Sequence, residues 1–129
     1  MTAIERIIVS PGKSGIFKAA WEVSSRLGIT LESISGHVVE SLKTSDALLI
    51  LTDGPPTTDQ IELQLLANEH CPQWRRLDIR KDKDTTLVGL IRLWLMELEK
   101  PAKVLYLDGP MKEELTLKTG LVLEYPLAE

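Results

Sequence analysis

A chain of 129 residues has room for one domain, and such a chain buries roughly two-thirds of its unfolded surface. Its 43% hydrophobic and 26% charged residues exclude a disordered chain, and a net charge of −4 speaks against a general nucleic-acid binder, whose footprint is basic. A single cysteine, Cys71, excludes an internal disulfide and a cysteine metal cluster. The opening MTAIERIIVS places an acidic residue where an export signal needs a basic region. Its apolar run is also too short to span a bilayer, so the expected setting is cytoplasmic, without membrane contact.

Short β-branched runs alternate with longer stretches of helical period, the pattern of stacked βα units. Residues 4–9 read as a first strand, whose unbroken Ile7-Ile8-Val9 suits burial on both faces. The turn SPGKSG follows, and from Gly15 the residues Ile16, Ala19, Ala20, Val23 and Leu27 keep helical spacing up to a stop at Gly28. A weak strand is expected over residues 29–34 and a brief helix or turn over 36–43. The run ALLIL, residues 47–51, is a second buried strand. It ends in TDGPPTTDQ, from which Thr58 or Asp59 is expected to cap a helix with Ile61, Leu65 and Leu66 on one face. A strand over 74–79 and a helix over 84–99 come next. The helix should carry Leu87, Leu90, Ile91, Trp94, Leu95 and Leu98 inward. KVLYL, residues 103–107, is a last strand, and DGPM turns into a helix from about Leu117 to Tyr125. The expectation is a single α/β domain over residues 1–129, a three-layer α/β/α sandwich with a mainly parallel sheet of about five strands.

Right-handed crossovers between parallel strands put the strand-to-helix loops on one edge of the sheet, and ligands of open α/β sheets bind there, where strand order reverses. SPGKSG, TDGPPTT and DGPMK are those loops. In the first, glycine allows close approach to a ligand, the amides of a helix start favour an anion, and Ser10, Gly12, Lys13, Ser14, Gly15 and Lys18 supply donors and positive charge. Neither a P-loop nor a dinucleotide fingerprint is present. Asp53, Gly54, Thr57 and Thr58 are expected to line the other wall of the crevice, and Gly109 and Pro110 of the third loop are further candidates.

The run IIVSPGKSGIFKAAWEVSSRLGI resembles the opening of the putative molybdenum carrier proteins. These belong to a wider Rossmann-like superfamily with the LOG (lysine-decarboxylase-like) and DNA-processing protein A domains. Ser10, Gly12, Ser14, Gly15, Ala19, Ala20 and Leu27-Gly28-Ile29 fall on that family's first-loop pattern. SLKTSDALLILTDGPPTT and WLMELEKPAKVLYLDGPMKEE are similar to its second and third characteristic segments, in the same order. The chain departs from the pattern at Phe17-Lys18, where the family carries Asp-Arg, and at Pro55-Pro56, which replace a glycine pair. The segment before SDALLIL is also shorter. The resemblance implies a Rossmann-like fold and a molybdenum-related or nucleotide ligand.

The leading expectation is therefore a small-molecule binding domain for a phosphate-bearing or other oxyanionic ligand, a nucleotide or molybdenum-related species, with no catalytic residues and no metal site assigned. An alternative is a non-catalytic interaction protein, a homo-dimer or higher oligomer, that has lost its ligand. A third reading is an N-glycosidic hydrolase of LOG type, for which Glu62 stands at the matching spacing but reads as a solvated helix residue. His37 and His70 have no metal-spaced partner, and Cys71 has no catalytic one. Trp21 lies off its helix's apolar stripe, where a subunit contact would use it. RRLDIRKDKD mixes both charge signs and reads as a solvated strand end and loop.

Overall fold

Runs of apolar residues become strands here because the sheet can cover both of their faces. The computed structural model describes residues 4–9, 15–34, 38–110, 112 and 116–128. Ten elements alternate along the chain: β1 (Arg6–Val9), α1 (Ile16–Leu27), β2 (Thr30–Ser33), α2 (Val38–Thr44), β3 (Ala47–Thr52), α3 (Thr58–His70), β4 (Trp74–Asp78), α4 (Asp84–Glu97), β5 (Val104–Asp108) and α5 (Thr116–Leu127). The five strands make one sheet in the order β2-β1-β5-β3-β4. All four pairings are parallel. The expected α/β class and five-strand count hold.

Side-chain alternation divides the core into two layers. Ile7, Val9, Leu49, Leu51, Leu105 and Leu107 pack with α1, α4 and α5 on one face, whereas Ile8, Leu48, Ile50 and Tyr106 pack with α2 and α3 on the other. Every residue of β3 is buried, as the unbroken ALLIL run requires. The weak second strand is real but peripheral. β2 pairs only with β1, so its exposed Thr30, Glu32 and Ser33 need no apolar character, while Ile29 and Ile34 at its ends are buried. At the opposite edge from the candidate loops, the Asp46 carboxylate accepts from the backbone N–H groups of Lys103 and Val104, both at 2.9 Å, and fixes where β5 begins.

The helices correct three expectations. Helix α3 is capped by Thr57 rather than by Thr58 or Asp59: Thr57 Oγ1 accepts from Gln60 N–H at 3.2 Å, and Gln60 Oε1 accepts from Thr57 N–H at 3.0 Å, a reciprocal capping box. The face of α3 is also turned. Ile61 and Leu65 are 44% and 62% exposed, and the buried residues are Gln60, Leu63, Gln64 and Ala67. The turn is tolerated because both glutamine amides find partners below the helix, Gln64 Oε1 accepting from Arg76 at 2.7 Å and Gln60 donating to the end of the sheet. Third, α4 stops at Glu97, with Leu87 and Ile91 buried and Leu90, Trp94, Leu95 and Leu98 only partly so. Gly28 ends α1 in the left-handed region, φ 70°, as expected of a glycine stop. Helix α5 runs on to Leu127, with Pro126 in its last turn.

The start of α1 and the end of β5 touch closely. A methyl group added at Gly109 would stand 3.1–3.2 Å from three atoms of the fully buried Ile16 side chain. Gly109→Ala is therefore expected to destabilise the fold by about 1 kcal/mol or more through overpacking, read as a lower denaturant midpoint at unchanged slope. An unchanged midpoint would show that the two segments are not pressed together.

Candidate functional site

Chain direction parts at the centre of the sheet. From β1 the chain crosses through α1 to the edge strand β2, and from β3 it crosses through α3, on the other face, to the edge strand β4. Strand β5 lies between β1 and β3, so its C-terminal end opens at the point where the two connections diverge. Residues there come from three loops, and hydrogen bonds tie those loops together. Ile16 N–H, in the first turn of α1, donates to the Pro110 carbonyl at 2.8 Å. Lys112 Nζ donates to Asp53 Oδ2 at 2.8 Å, and Arg80 Nε, beyond β4, donates to Asp53 Oδ1 at 2.6 Å.

Each expected site residue has a definite place, except that Ser10, Gly12, Lys13 and Ser14 lie outside the described residues. Gly15 is buried with φ 68° and forms the N-cap of α1, while Lys18 is exposed one turn further on. Asp53 is only 10% exposed at its side chain and holds the two cations just named. Gly54, at φ 81°, takes the turn that a side chain would strain, and its N–H donates to Asp78 Oδ1 at 3.1 Å. Thr57 is occupied as the cap of α3, and Thr58 is exposed in its first turn. Gly109 lies against Ile16, and the Pro110 carbonyl is taken by the Ile16 amide. The start of α1 and the ends of β3 and β5 meet at one edge, where Asp53, Thr57 and the Pro110 carbonyl are already engaged.

Two participants were not singled out by sequence reasoning. Gln60 Nε2 donates both to the Leu51 carbonyl and to Asp108 Oδ2, each at 3.1 Å, so one amide joins the end of β3 to the end of β5. The Thr-x-x-Gln spacing of the capping box was the available signal. Arg80 sat within a cluster read as solvated, and nothing in its mixed charges pointed to Asp53.

Charge is partitioned across the edge. The Lys112 and Arg80 cations hold the Asp53 carboxyl below its usual range. Burial pushes the Asp108 carboxyl above its usual range, and neighbouring Asp59 adds to the rise, while the Gln60 hydrogen bond opposes it. Glu62 is exposed, as expected, but together with Asp59, Asp108, Tyr106, Val38, Leu63 and Leu66 it lines a cavity of about 290 Å3 between α2 and α3. Cys71 is buried and its thiol is pushed up to about 11, so it is not a nucleophile at neutral pH. His70 pairs with Glu69, and His37 lies outside the described residues. Among the described residues no group of three or more His, Cys, Asp or Glu side chains could hold a metal ion. Nor, among them, is any helix long and apolar enough to cross a membrane.

These features define a doubly wound, Rossmann-like α/β domain with a crevice at the carboxyl ends of its strands. A solved structure, a putative molybdenum carrier protein from Syntrophus aciditrophicus, has the same fold: TM-score 0.81 at 19% sequence identity, covering 98% of this chain and 97% of that one. The chain matches no protein-family profile and no curated protein.

Asp108 generates a pH test. A carboxyl whose folded pKa is raised weakens the fold when ionised, fully above that pKa, and the penalty disappears as pH falls through it towards the unfolded value. Asp108→Asn keeps an oxygen to accept from Gln60 without the charge. Its unfolding temperature should exceed that of the parent by a few degrees at pH 7, with the gap closing towards pH 4. A gap that stayed constant across that window would mean the Asp108 charge is not opposed by its surroundings.

Proposed function

We propose that this protein is a divergent relative of the putative molybdenum carrier proteins and a small-molecule binding domain. Its ligand would be a phosphate-bearing or other oxyanionic species, a nucleotide or a molybdenum-related anion, held at the carboxyl edge of the sheet on the α1 side. The observation that carries the reading is the gathering of three loops at the divergence point, through Ile16 to Pro110 and Lys112 to Asp53. A full-length likeness to a protein named as a molybdenum carrier supports the molybdenum-related choice, as does the order of the three matching sequence segments. Lys18 stands exposed at the helix start, where positive charge and the helix dipole act on an anion in the same direction. Gly12, Lys13 and Ser14 are assigned to the same role, with Thr58 on the opposite wall.

A second reading has its own observation. Asp53 already holds Arg80 and Lys112, and the Ile16 amide already has a carbonyl, as expected of a crevice closed on itself in a protein kept for interaction with its own copies or with partners.

A thermal-shift panel of molybdate, phosphate and adenosine monophosphate separates the two. A ligand present at ~100 times its dissociation constant adds about 2.7 kcal/mol of stability, a rise of several degrees. Replacing Lys13 and Lys18 by alanine should remove that rise while leaving the unliganded unfolding temperature in place. No response to any of the three anions favours the closed crevice, and a response that survives the double substitution moves the site away from the first loop.

A further inference from the structure

The cavity between α2 and α3 is chemically unlike the loop edge on the α1 side. Strand β5 alternates, so Tyr106 and Asp108 project from the same face of the sheet, beneath α2 and α3. Tyr106 is only 2% exposed, its hydroxyl has no hydrogen-bond partner among the described residues, and it is not one of the sealed side-chain atoms of the core. Tyr106 lines the cavity, where a hydroxyl without a protein partner is open to a polar group from outside. Above it, Asp59 and Glu62 stand one turn apart on α3 and face the cavity together with Asp108. Val38, Leu63 and Leu66 make the remaining wall, and among the described residues no Lys or Arg belongs to the lining. Arg80 and Lys112, at the same edge of the sheet, are held by Asp53.

We propose that this cavity is a second binding site, for a compact organic ammonium ion whose nitrogen sits at the Tyr106 hydroxyl in the field of the Asp59, Glu62 and Asp108 carboxylates and whose hydrocarbon body lies against Val38, Leu63 and Leu66. Three kinds of ligand compete for such a lining, and chemistry distinguishes them. An inorganic anion would meet three carboxylates with no compensating cation among the described lining residues. A bare metal ion needs converging ligands, which the described residues do not offer, and it gains nothing from apolar walls. An alkylammonium uses both halves: charge-assisted hydrogen bonds to the oxygens and burial of its methylenes. The volume of about 290 Å3 stands at the lower end of small-molecule sites, which sets the size class. This site is on the opposite face of the sheet from α1, and the inference does not depend on an anion binding at the start of that helix.

The test is a two-dimensional NMR titration of the full chain with n-butylammonium, n-butanol, butyrate and D-ribose. Saturable shifts are expected with butylammonium, confined to the backbone amides around Asp59, Glu62, Leu63, Leu66, Tyr106 and Asp108, and none of comparable size with the other three. Glu62→Gln, at an exposed position that leaves folding intact, should weaken butylammonium binding by about tenfold, and Tyr106→Phe by a similar factor. Equal binding of butanol would reduce the cavity to an apolar hole. Binding of ribose or butyrate without butylammonium would overturn the charge assignment, as would an affinity unmoved by Glu62→Gln. Should Tyr106→Phe unfold the chain, the Glu62→Gln comparison decides alone.

Discussion

Strand β5, the last in the chain, is the member on which the sheet's unity depends. It pairs with β1 on one side and β3 on the other, and without it the sheet would separate into a β2-β1 pair and a β3-β4 pair. Its position demands apolar side chains on both faces, met by Leu105 and Leu107 towards α1, α4 and α5 and by Tyr106 towards α2 and α3. Its start is set by two backbone hydrogen bonds to Asp46, and its end is reached by Gln60. Because crossovers are right-handed, inserting β5 between strands whose connections leave in opposite directions creates the crevice at its carboxyl end. The candidate site is thus a consequence of strand order before it is a consequence of any particular side chain.

The polar groups at that end divide into two sets. On one side Asp53 collects Arg80 and Lys112 and pins the second loop to the third, with its carboxyl held in the charged form by those partners. On the other, Asp108 is desolvated beside a second carboxylate and steadied by one amide donor. Ion pairs this exposed on their cationic side contribute little to global stability. Their effect is to hold loops in position. The desolvated Asp108 carboxylate works against stability at neutral pH, and groups that cost stability concentrate where function lies.

Much of the architecture was legible because its cause is local. ALLIL and KVLYL are too apolar and too short for anything but strands buried on both faces, and Gly28 after Leu27 marks a helix stop that only glycine takes readily. The meeting of the three loops followed from parallel connections alone. Less accessible was the orientation of α3. Ile61 and Leu65 are the more apolar residues, yet the helix turns Gln60 and Gln64 inward, since their amides satisfy a carbonyl, a carboxylate and a guanidinium that would otherwise lack partners. Hydropathy ranks side chains by their average cost of burial and has no knowledge of such partners.

By itself the sequence determined the α/β class, the number and rough extent of the elements, and which edge of the sheet collects the loops, because these follow from periodicity, turn chemistry and handedness. Only the tertiary structure decided the strand order, the pairing of Asp53 with residues 27 and 59 positions away, and the cavity that joins Tyr106 and Asp108 to a helix some 45 residues earlier. The physical reason is range. Backbone propensity acts over a few residues, whereas the partner of a buried polar group is chosen by whatever the packed layers bring within about 3 Å of it.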